Sequence, residues 1–113
     1  MKTLRFIIDG QIIRKDPNCD FSGLVPGSSG YLSVEFVFSK EWDNCFKVAG
    51  FYSPLGVEYP PRELGYGNSC VVPFEALKKR SFKIQVLGMR RENGEEIRLK
   101  TNKVVVNQNG GKK

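Results

Sequence analysis

Apolar and polar residues alternate along most of the chain, and a period of two is typical of β-strands with one buried face. YLSVEFVFS, residues 31–39, and SFKIQVLGM, residues 81–89, have the clearest alternation. FKVAGFYS, CVV and TNKVVV predict further strands. The side chains that the first two segments would direct inward are Leu32, Val34, Phe36, Phe38, Phe82, Ile84 and Val86. The chain is therefore predicted to consist mainly of short strands.

Turn-forming residues separate these strands. The dipeptide DG at positions 9–10 and the dipeptide NG at positions 93–94 each lie in a hairpin-like context and favour type I′ turns. Residues 15–30 and 53–69 are rich in turn-forming residues such as proline and glycine and predict two long loops. A connection as long as the second loop is often functional. Pro73 suits the first position of a helix, so PFEALKK predicts about one helical turn. Cys70, Val72, Phe74 and Leu77 are predicted to lie in the core.

These elements predict an all-β fold. About seven short strands with one short helical turn indicate an antiparallel β-sandwich or a small barrel. With 113 residues the chain has room for one domain. We predict a single β-sandwich domain over residues 1–106 and a disordered tail over residues 107–113, NQNGGKK.

Composition argues against the common catalytic and metal-binding classes. Histidine is absent, which removes the commonest general base and the commonest zinc ligand. Cys19, Cys45 and Cys70 form no C-x-x-C pair and are predicted to be reduced thiols. Cys70 could be a reactive thiol near a helix start, but a buried structural role is the favoured interpretation. We predict no enzyme activity, no catalytic, cofactor-binding or metal-ligating residue, and no membrane contact, because no apolar run approaches the roughly 20 residues of a span.

Charge is distributed unevenly along the chain. The net charge is +6, and residues 78–113 carry eleven Lys/Arg against three Glu. Alternation predicts that Lys83, Arg98 and Lys100 point outward together on neighbouring strands and form a basic sheet face. Such a face suits an acidic partner, either nucleic acid or an acidic protein surface. Nucleic-acid stacking would also need exposed aromatic residues, whereas Phe82 is predicted to face inward.

Two sets of side chains are candidates for partner binding. The first comes from the 53–69 loop, because tyrosine and leucine supply contact area at interfaces. The second is the basic segment. The candidate residues are Tyr59, Arg62, Leu64, Tyr66, Lys78, Lys79, Arg80, Lys83, Arg98 and Lys100. Trp42, at the end of a predicted strand, is instead predicted to close the core.

Several short motifs together resemble a pattern of small structural modules from tailed-phage and prophage virions. The matching segments are FSKEWD at 38–43, AGF at 49–51, CVVPFEAL at 70–77, FKIQVLG at 82–88 and RLKTNKVVV at 98–106. The resemblance implies an immunoglobulin-like β-sandwich that serves as a tail, baseplate or head-surface protein. It implies no catalytic residues, and it places the protein in the virion after assembly in the host cytoplasm.

The expected function is therefore non-enzymatic. The leading hypothesis is a virion structural or adaptor protein that contacts other virion proteins in a homo-oligomeric or multi-copy assembly, without a cofactor. The alternative is a small basic β-domain that binds nucleic acid or inhibits a host nucleic-acid-processing system. A hydrolase that uses paired carboxylates is a third hypothesis, and no carboxylate pair in the sequence marks it.

Overall fold

A computed structural model describes residues 1–110 of the chain. This part contains nine strands, one helix of four residues and one 3₁₀ turn at Lys40–Trp42. In chain order the elements are β1 (Lys2–Asp9), β2 (Ile12–Lys15), β3 (Leu32–Phe38), β4 (Phe46–Tyr52), β5 (Arg62–Glu63), β6 (Ser69–Val71), α1 (Phe74–Leu77), β7 (Ser81–Glu92), β8 (Glu95–Lys100) and β9 (Val104–Asn107). The all-β prediction is confirmed, with nine strands where about seven were expected. Neither helical segment in residues 1–110 is long and apolar enough to cross a membrane.

The strands form two sheets in a sandwich-like arrangement. The first sheet has the order β2-β1-β3-β6, and the second has the order β5-β4-β7-β8, with β9 also paired to β7. One pair departs from the antiparallel prediction: β1 runs parallel to β3, from Lys2 opposite Leu32 to Ile8 opposite Phe38. Parallel neighbours need a long return connection. Here β2 and residues 16–31 carry the chain back to the start of β3.

The inner faces of both sheets form one hydrophobic core. Its largest fully buried side chains include Phe6, Phe36, Phe51, Phe82 and Trp42. The predicted inward residues of β3 and β7 are buried, except Phe38, which is partly buried against the core. Trp42 also closes the core as predicted, and its indole Nε1 donates a hydrogen bond to the Gly10 carbonyl oxygen at 2.7 Å.

The segment after β6 holds the core as predicted, with one exception. Val72 and Leu77 are buried, and Cys70 packs partly buried against the core. Phe74 was also expected inside and is 47% exposed. Because α1 is a single turn capped by Pro73, Ala76 and Leu77 face the core while Phe74 points outward. The Lys78 ammonium lies 4.7 Å from the centroid of the Phe74 ring.

Both predicted hairpins form, but the first has a shifted turn. Asp9 pairs with Ile12, so the two loop residues are Gly10 and Gln11, and Gly10 has a φ of +60°. Glycine in the first loop position is the pattern of type II′ turns rather than type I′. The second turn matches the prediction, with positive φ at both Asn93 and Gly94.

Two segments expected to lack regular structure contain strand pairing. Within 53–69, β5 pairs with β4, and Glu58 forms an isolated bridge with Tyr52. The predicted tail is also wrong at its start, because β9 extends to Asn107 and Gln108 is 2% exposed. Its side-chain Nε2 donates hydrogen bonds to the carbonyl oxygens of Leu77 and Lys79. Residues 111–113 of the predicted tail lie outside the described residues.

Candidate functional site

The surface of the second sheet that faces away from the core carries large apolar side chains at its centre. Phe46 of β4 lies opposite Met89 of β7, and Val48 lies opposite Leu87. Phe46 is 53% exposed, Leu87 38% and Met89 39%. Since neighbouring residues on β7 point inward and are buried, strand alternation alone places this apolar group outside. The group forms the floor of an open groove, called the outer-face groove below.

The outer-face groove has a volume of about 610 Å³. Its lining residues are Gln11, Phe46, Val48, Leu87, Gly88, Met89, Arg98, Leu99 and Lys100. Exposed apolar groups gathered beside a few polar ones are typical of binding surfaces, whereas single exposed apolar residues are ordinary. The groove is therefore the strongest candidate site in the described part of the chain.

The β1–β2 turn supports one side of the groove. Gln11 donates a hydrogen bond from its side-chain Nε2 to the Lys100 carbonyl oxygen at 3.1 Å. The Gln11 carbonyl oxygen accepts a hydrogen bond from the Asn102 backbone N–H, and Asn102 Oδ1 accepts one from the Ile13 N–H. These bonds tie the end of β8 to the first sheet. The position of Lys100 at the groove edge is thus fixed by the fold.

A polar layer, called the Tyr52 layer below, ends the groove on the side toward β9 and consists of Tyr52, Gln85, Lys83 and Lys103. The Tyr52 ring extends over Gly50, where a Cβ would lie 2.8 Å from the Tyr52 hydroxyl oxygen. The hydroxyl donates a hydrogen bond to Gln85 Oε1 at 3.2 Å, and the Lys103 ammonium lies 4.0 Å from the ring centroid. Burial, with a smaller effect of the Glu58 charge, raises the pKa of Tyr52. Lys83 lies opposite Tyr52 in the strand register.

Charges of opposite sign flank the groove. On β8, the outward residues are Glu96, Arg98 and Lys100, since they pair with the outward residues of β7. Glu96 and Arg98 form an ion pair. Within residues 1–110, no carboxylate lies within ion-pair distance of the Lys100 ammonium. Across the sheet, Glu63 of β5 lies opposite Val48. On the outward face, the β8 side therefore has one positive charge in excess, that of Lys100, and the β5 side has the negative charge of Glu63.

The structure divides the predicted basic residues between two places. Lys83, Arg98 and Lys100 share the outward face of β7 and β8, as their alternation predicted. Lys78, Lys79 and Arg80 are exposed in the connection from α1 to β7. At about 3.3 Å per residue, the eight-residue step from the start of β7 to Met89 is roughly 26 Å. The exposed triplet at 78–80 is therefore not part of the groove.

Arg90, which belongs to the same basic segment, has a structural role. Its guanidinium donates a hydrogen bond to the Glu41 carbonyl oxygen at 2.6 Å and pairs with Glu92 at 3.2 Å. The hydrogen bonds to Cys45 and to Glu92 raise the pKa of Arg90. Arg90 thus anchors the 3₁₀ turn that carries Trp42.

The candidate residues of the 53–69 loop differ in exposure. Tyr59 and Leu64 are partly buried against the core, and their backbone N–H groups bond to the carbonyl oxygens of Phe51 and Lys47. Arg62 and Tyr66 are exposed. None of the four lines the outer-face groove. The first two serve the framework, and the other two are exposed outside the groove.

Sequence reasoning missed the apolar centre of the groove, although one signal for it exists. Along β7 the outward positions change from Lys83 and Gln85 to Leu87 and Met89. An exposed strand face normally continues with polar residues. Two apolar residues in succession at outward positions therefore indicate a surface that can be covered by something else.

No family model, curated protein or solved structure matches this chain.

The remaining chemical groups offer no competing site in the described residues. Burial raises the pKa of the Cys70 thiol to about 12, against a smaller opposing effect of Arg62. A thiol with such a pKa stays protonated at neutral pH and is a poor nucleophile. Among residues 1–110, no three His, Cys, Asp or Glu side chains are grouped so that they could hold a metal ion.

Proposed function

We propose that this chain is a non-enzymatic binding module that acts by protein–protein contact, as a structural or adaptor subunit of a multi-copy assembly. The observation that carries the proposal is the outer-face groove. Phe46, Leu87 and Met89 expose apolar surface at the centre of a sheet whose other face is already buried in the core. Covering that surface gains roughly 25 cal/mol per Å² of apolar area removed from water.

A multi-copy setting suits the size of this surface. The groove offers only a few large apolar side chains, fewer residues than the 20 to 30 a side that a stable pairwise interface normally uses. A single contact of this size is weak. Many copies that engage one assembly gain avidity without any additional contact.

The virion part of the proposal rests on the motifs at 38–43, 49–51, 70–77, 82–88 and 98–106, which together resemble small phage structural modules. Under this hypothesis the protein belongs to the tail, the baseplate or the head surface, and it is assembled into the particle in the host cytoplasm. The proposal also includes that the β-sandwich is of the immunoglobulin-like kind.

Gradient sedimentation of the native protein tests the assembly role. A lysate of the producing cells is treated with nuclease, sedimented through a gradient and probed by immunoblot. We expect the wild type to co-migrate with multi-megadalton particles. Recovery only at the top of the gradient would overturn the assembly role.

Two variants test whether the groove is the contact surface. In Leu87→Ser/Met89→Ser, both replaced side chains are more than a third exposed, so the fold is expected to persist while incorporation falls. Val37→Ser is the matched control, since Val37 is 50% exposed on the outer side of the first sheet. Equal incorporation of wild type, double variant and control would remove the groove from the proposal.

Nucleic-acid binding is a second candidate, and the Tyr52 layer is the observation that favours it. There the half-buried ring of Tyr52 lies beside the cations of Lys83 and Lys103. Aromatic rings beside basic groups are the elements of single-strand binding. If this candidate is correct, the logarithm of the affinity for random oligonucleotides falls linearly with the logarithm of salt concentration. Absence of binding at low salt would eliminate it.

A further inference from the structure

We propose that the outer-face groove binds a short segment of a partner protein that is both apolar and acidic. Its apolar side chains would contact Phe46, Leu87 and Met89, and a carboxylate beside them would pair with Lys100. This inference rests on the proposed function, because it names the chemistry of the partner at the same surface.

The apolar part of the partner follows from the floor of the groove. Leu87 and Met89 lie two residues apart on β7, and their neighbours across the strand pair are Val48 and Phe46. The floor is closed from below by Gly88, whose inner side contacts the Trp42 ring. A partner side chain can therefore cover the apolar floor, and it cannot pass through it. Only apolar groups of the partner would gain free energy by contact there.

The acidic part follows from the charges on β8. Arg98 is already paired with Glu96, so an incoming carboxylate would have to compete for it. Lys100 has no such partner among the described residues, and its backbone is held in place by Gln11. Near the Tyr52 layer, the two positive charges of Lys103 and Lys83 outnumber the one negative charge of Glu58. An anionic group on this side of the groove is therefore attracted.

The opposite side sets the orientation of the partner. Glu63 on β5 lies next to Val48 and repels a second carboxylate. A segment with acidic residues on one flank and neutral or basic residues on the other thus fits in one direction only. Charge complementarity of this kind contributes specificity and a faster association rate more than affinity.

The dimensions admit one segment. Strands lie about 4.8 Å apart, so β5 and β8 are separated by roughly 14 Å, and the four-residue step from Gln85 to Met89 measures about 13 Å. One extended segment or one helix, about 10 Å across, occupies this space. Two apolar anchors would fit along it, at i and i+2 in a strand or at i and i+3 or i+4 in a helix.

Selection from a displayed library of random decapeptides tests the proposal without knowledge of the natural partner. The full-length protein is immobilised, and peptides that also bind Leu87→Ser/Met89→Ser are removed. We expect the groove-dependent peptides to contain two large apolar residues and more Asp and Glu than Lys and Arg. A surviving set that is basic or uncharged, or an empty set, would overturn the proposal.

Charge variants then test the role of Lys100. For a selected peptide, Lys100→Glu is expected to weaken binding by about five- to tenfold, because an exposed ion pair is lost and a repulsion replaces it. Lys79→Glu is the matched control: it makes the same change in net charge at an exposed position outside the groove. Equal weakening by both variants would show that only the overall charge matters and would overturn the proposal.

The occupant could instead be a second copy of this chain, and ultracentrifugation distinguishes that case. A dimer that forms with rising concentration and is lost in Leu87→Ser/Met89→Ser would overturn the acidic-segment proposal. Failure of the library with particle co-migration intact would remove this inference and leave the assembly role. Groove-dependent acidic peptides without particle co-migration would leave this inference and remove the assembly role.

Discussion

Trp42 packs so closely against Gly88 that a Cβ at position 88 would lie 2.7 Å from Trp42 Cζ3. The same indole bonds through Nε1 to the Gly10 carbonyl oxygen in the β1–β2 turn. Trp42 therefore joins the first sheet to the inner side of β7 at the point where the outer side of β7 forms the groove. The backbone of Gly88 therefore belongs both to the core and to the proposed binding surface.

Gly88→Ala should destabilise the protein, because the new methyl group has no room. The ideal Cβ would also lie 2.9 Å from Trp42 Cε3, and the indole is fully buried and cannot move aside freely. Overpacking of this kind typically costs about 1–3 kcal/mol. Urea denaturation should show this loss in the free energy of unfolding.

Gly65→Ala is the matched control for that measurement. Its φ lies outside the left-handed region, and the nearest atom to its ideal Cβ is the Ser69 carbonyl oxygen at 3.9 Å. We expect a change within about 0.5 kcal/mol. If Gly88→Ala were as mild as Gly65→Ala, the close contact between Trp42 and residue 88 would be contradicted.

Leu77→Ala should lower the free energy of unfolding by about 2–5 kcal/mol, since Leu77 is fully buried in the core and its removal leaves a cavity. Phe74→Ala, three residues earlier on α1, removes a larger side chain that is 47% exposed and should cost less. Thermal melts of both variants compare the two sites. An unchanged melting temperature for Leu77→Ala would contradict the packing of α1 on the sheets.

Strand positions could be predicted from the sequence, but their pairing could not. Alternation in β3 and β7 identifies the buried faces because each strand has one side in the core. Nothing in that local pattern specifies the neighbouring strand, so the parallel pairing of β1 with β3 was not foreseen. Likewise β5 has only Arg62 and Glu63, both exposed, and such a strand has no apolar period to detect.

For a related reason, the basic edge of the groove could be predicted from the sequence but its apolar centre could not. The outward placement of Lys83, Arg98 and Lys100 follows from alternation within each strand. Their separation by an apolar centre depends on Phe46, which β4 brings from about forty residues away and places opposite Met89. Surface patches of this kind are products of register, and register is a long-range property of the sheet.

Cys70 should react slowly with alkylating reagents in the native protein. Burial raises its pKa from 9.0 to about 12, so the thiolate that reacts is scarce at pH 9. Mass spectrometry after a short iodoacetamide pulse at pH 9 should find Cys70 modified more than about tenfold more slowly in the native chain than in urea. A small free thiol added to each sample reports the reagent concentration.

The same shift has a consequence for stability at high pH. The folded state binds the Cys70 proton more tightly than the unfolded state, so the protonated thiol contributes to the free energy of unfolding. This contribution is complete below pH 9 and is lost as the pH rises toward 12. The difference in unfolding free energy between wild type and Cys70→Ala should therefore narrow across that range. A difference independent of pH, together with rapid native alkylation, would contradict the burial of the thiol.

Gln108→Leu should destabilise the protein although it replaces a polar residue by an apolar one of similar size. The Gln108 amide donates to the carbonyl oxygens of Leu77 at 3.2 Å and Lys79 at 2.8 Å, and leucine would leave the part-buried Lys79 carbonyl without that donor. An unsatisfied buried acceptor costs about 1–3 kcal/mol.

Asn109→Ala, at the exposed neighbouring position, is the control and should change the free energy of unfolding by less than about 0.5 kcal/mol. Urea denaturation of both variants decides whether the chain after β9 belongs to the fold. Equal stability of Gln108→Leu and wild type would return that segment to the tail that the sequence predicted.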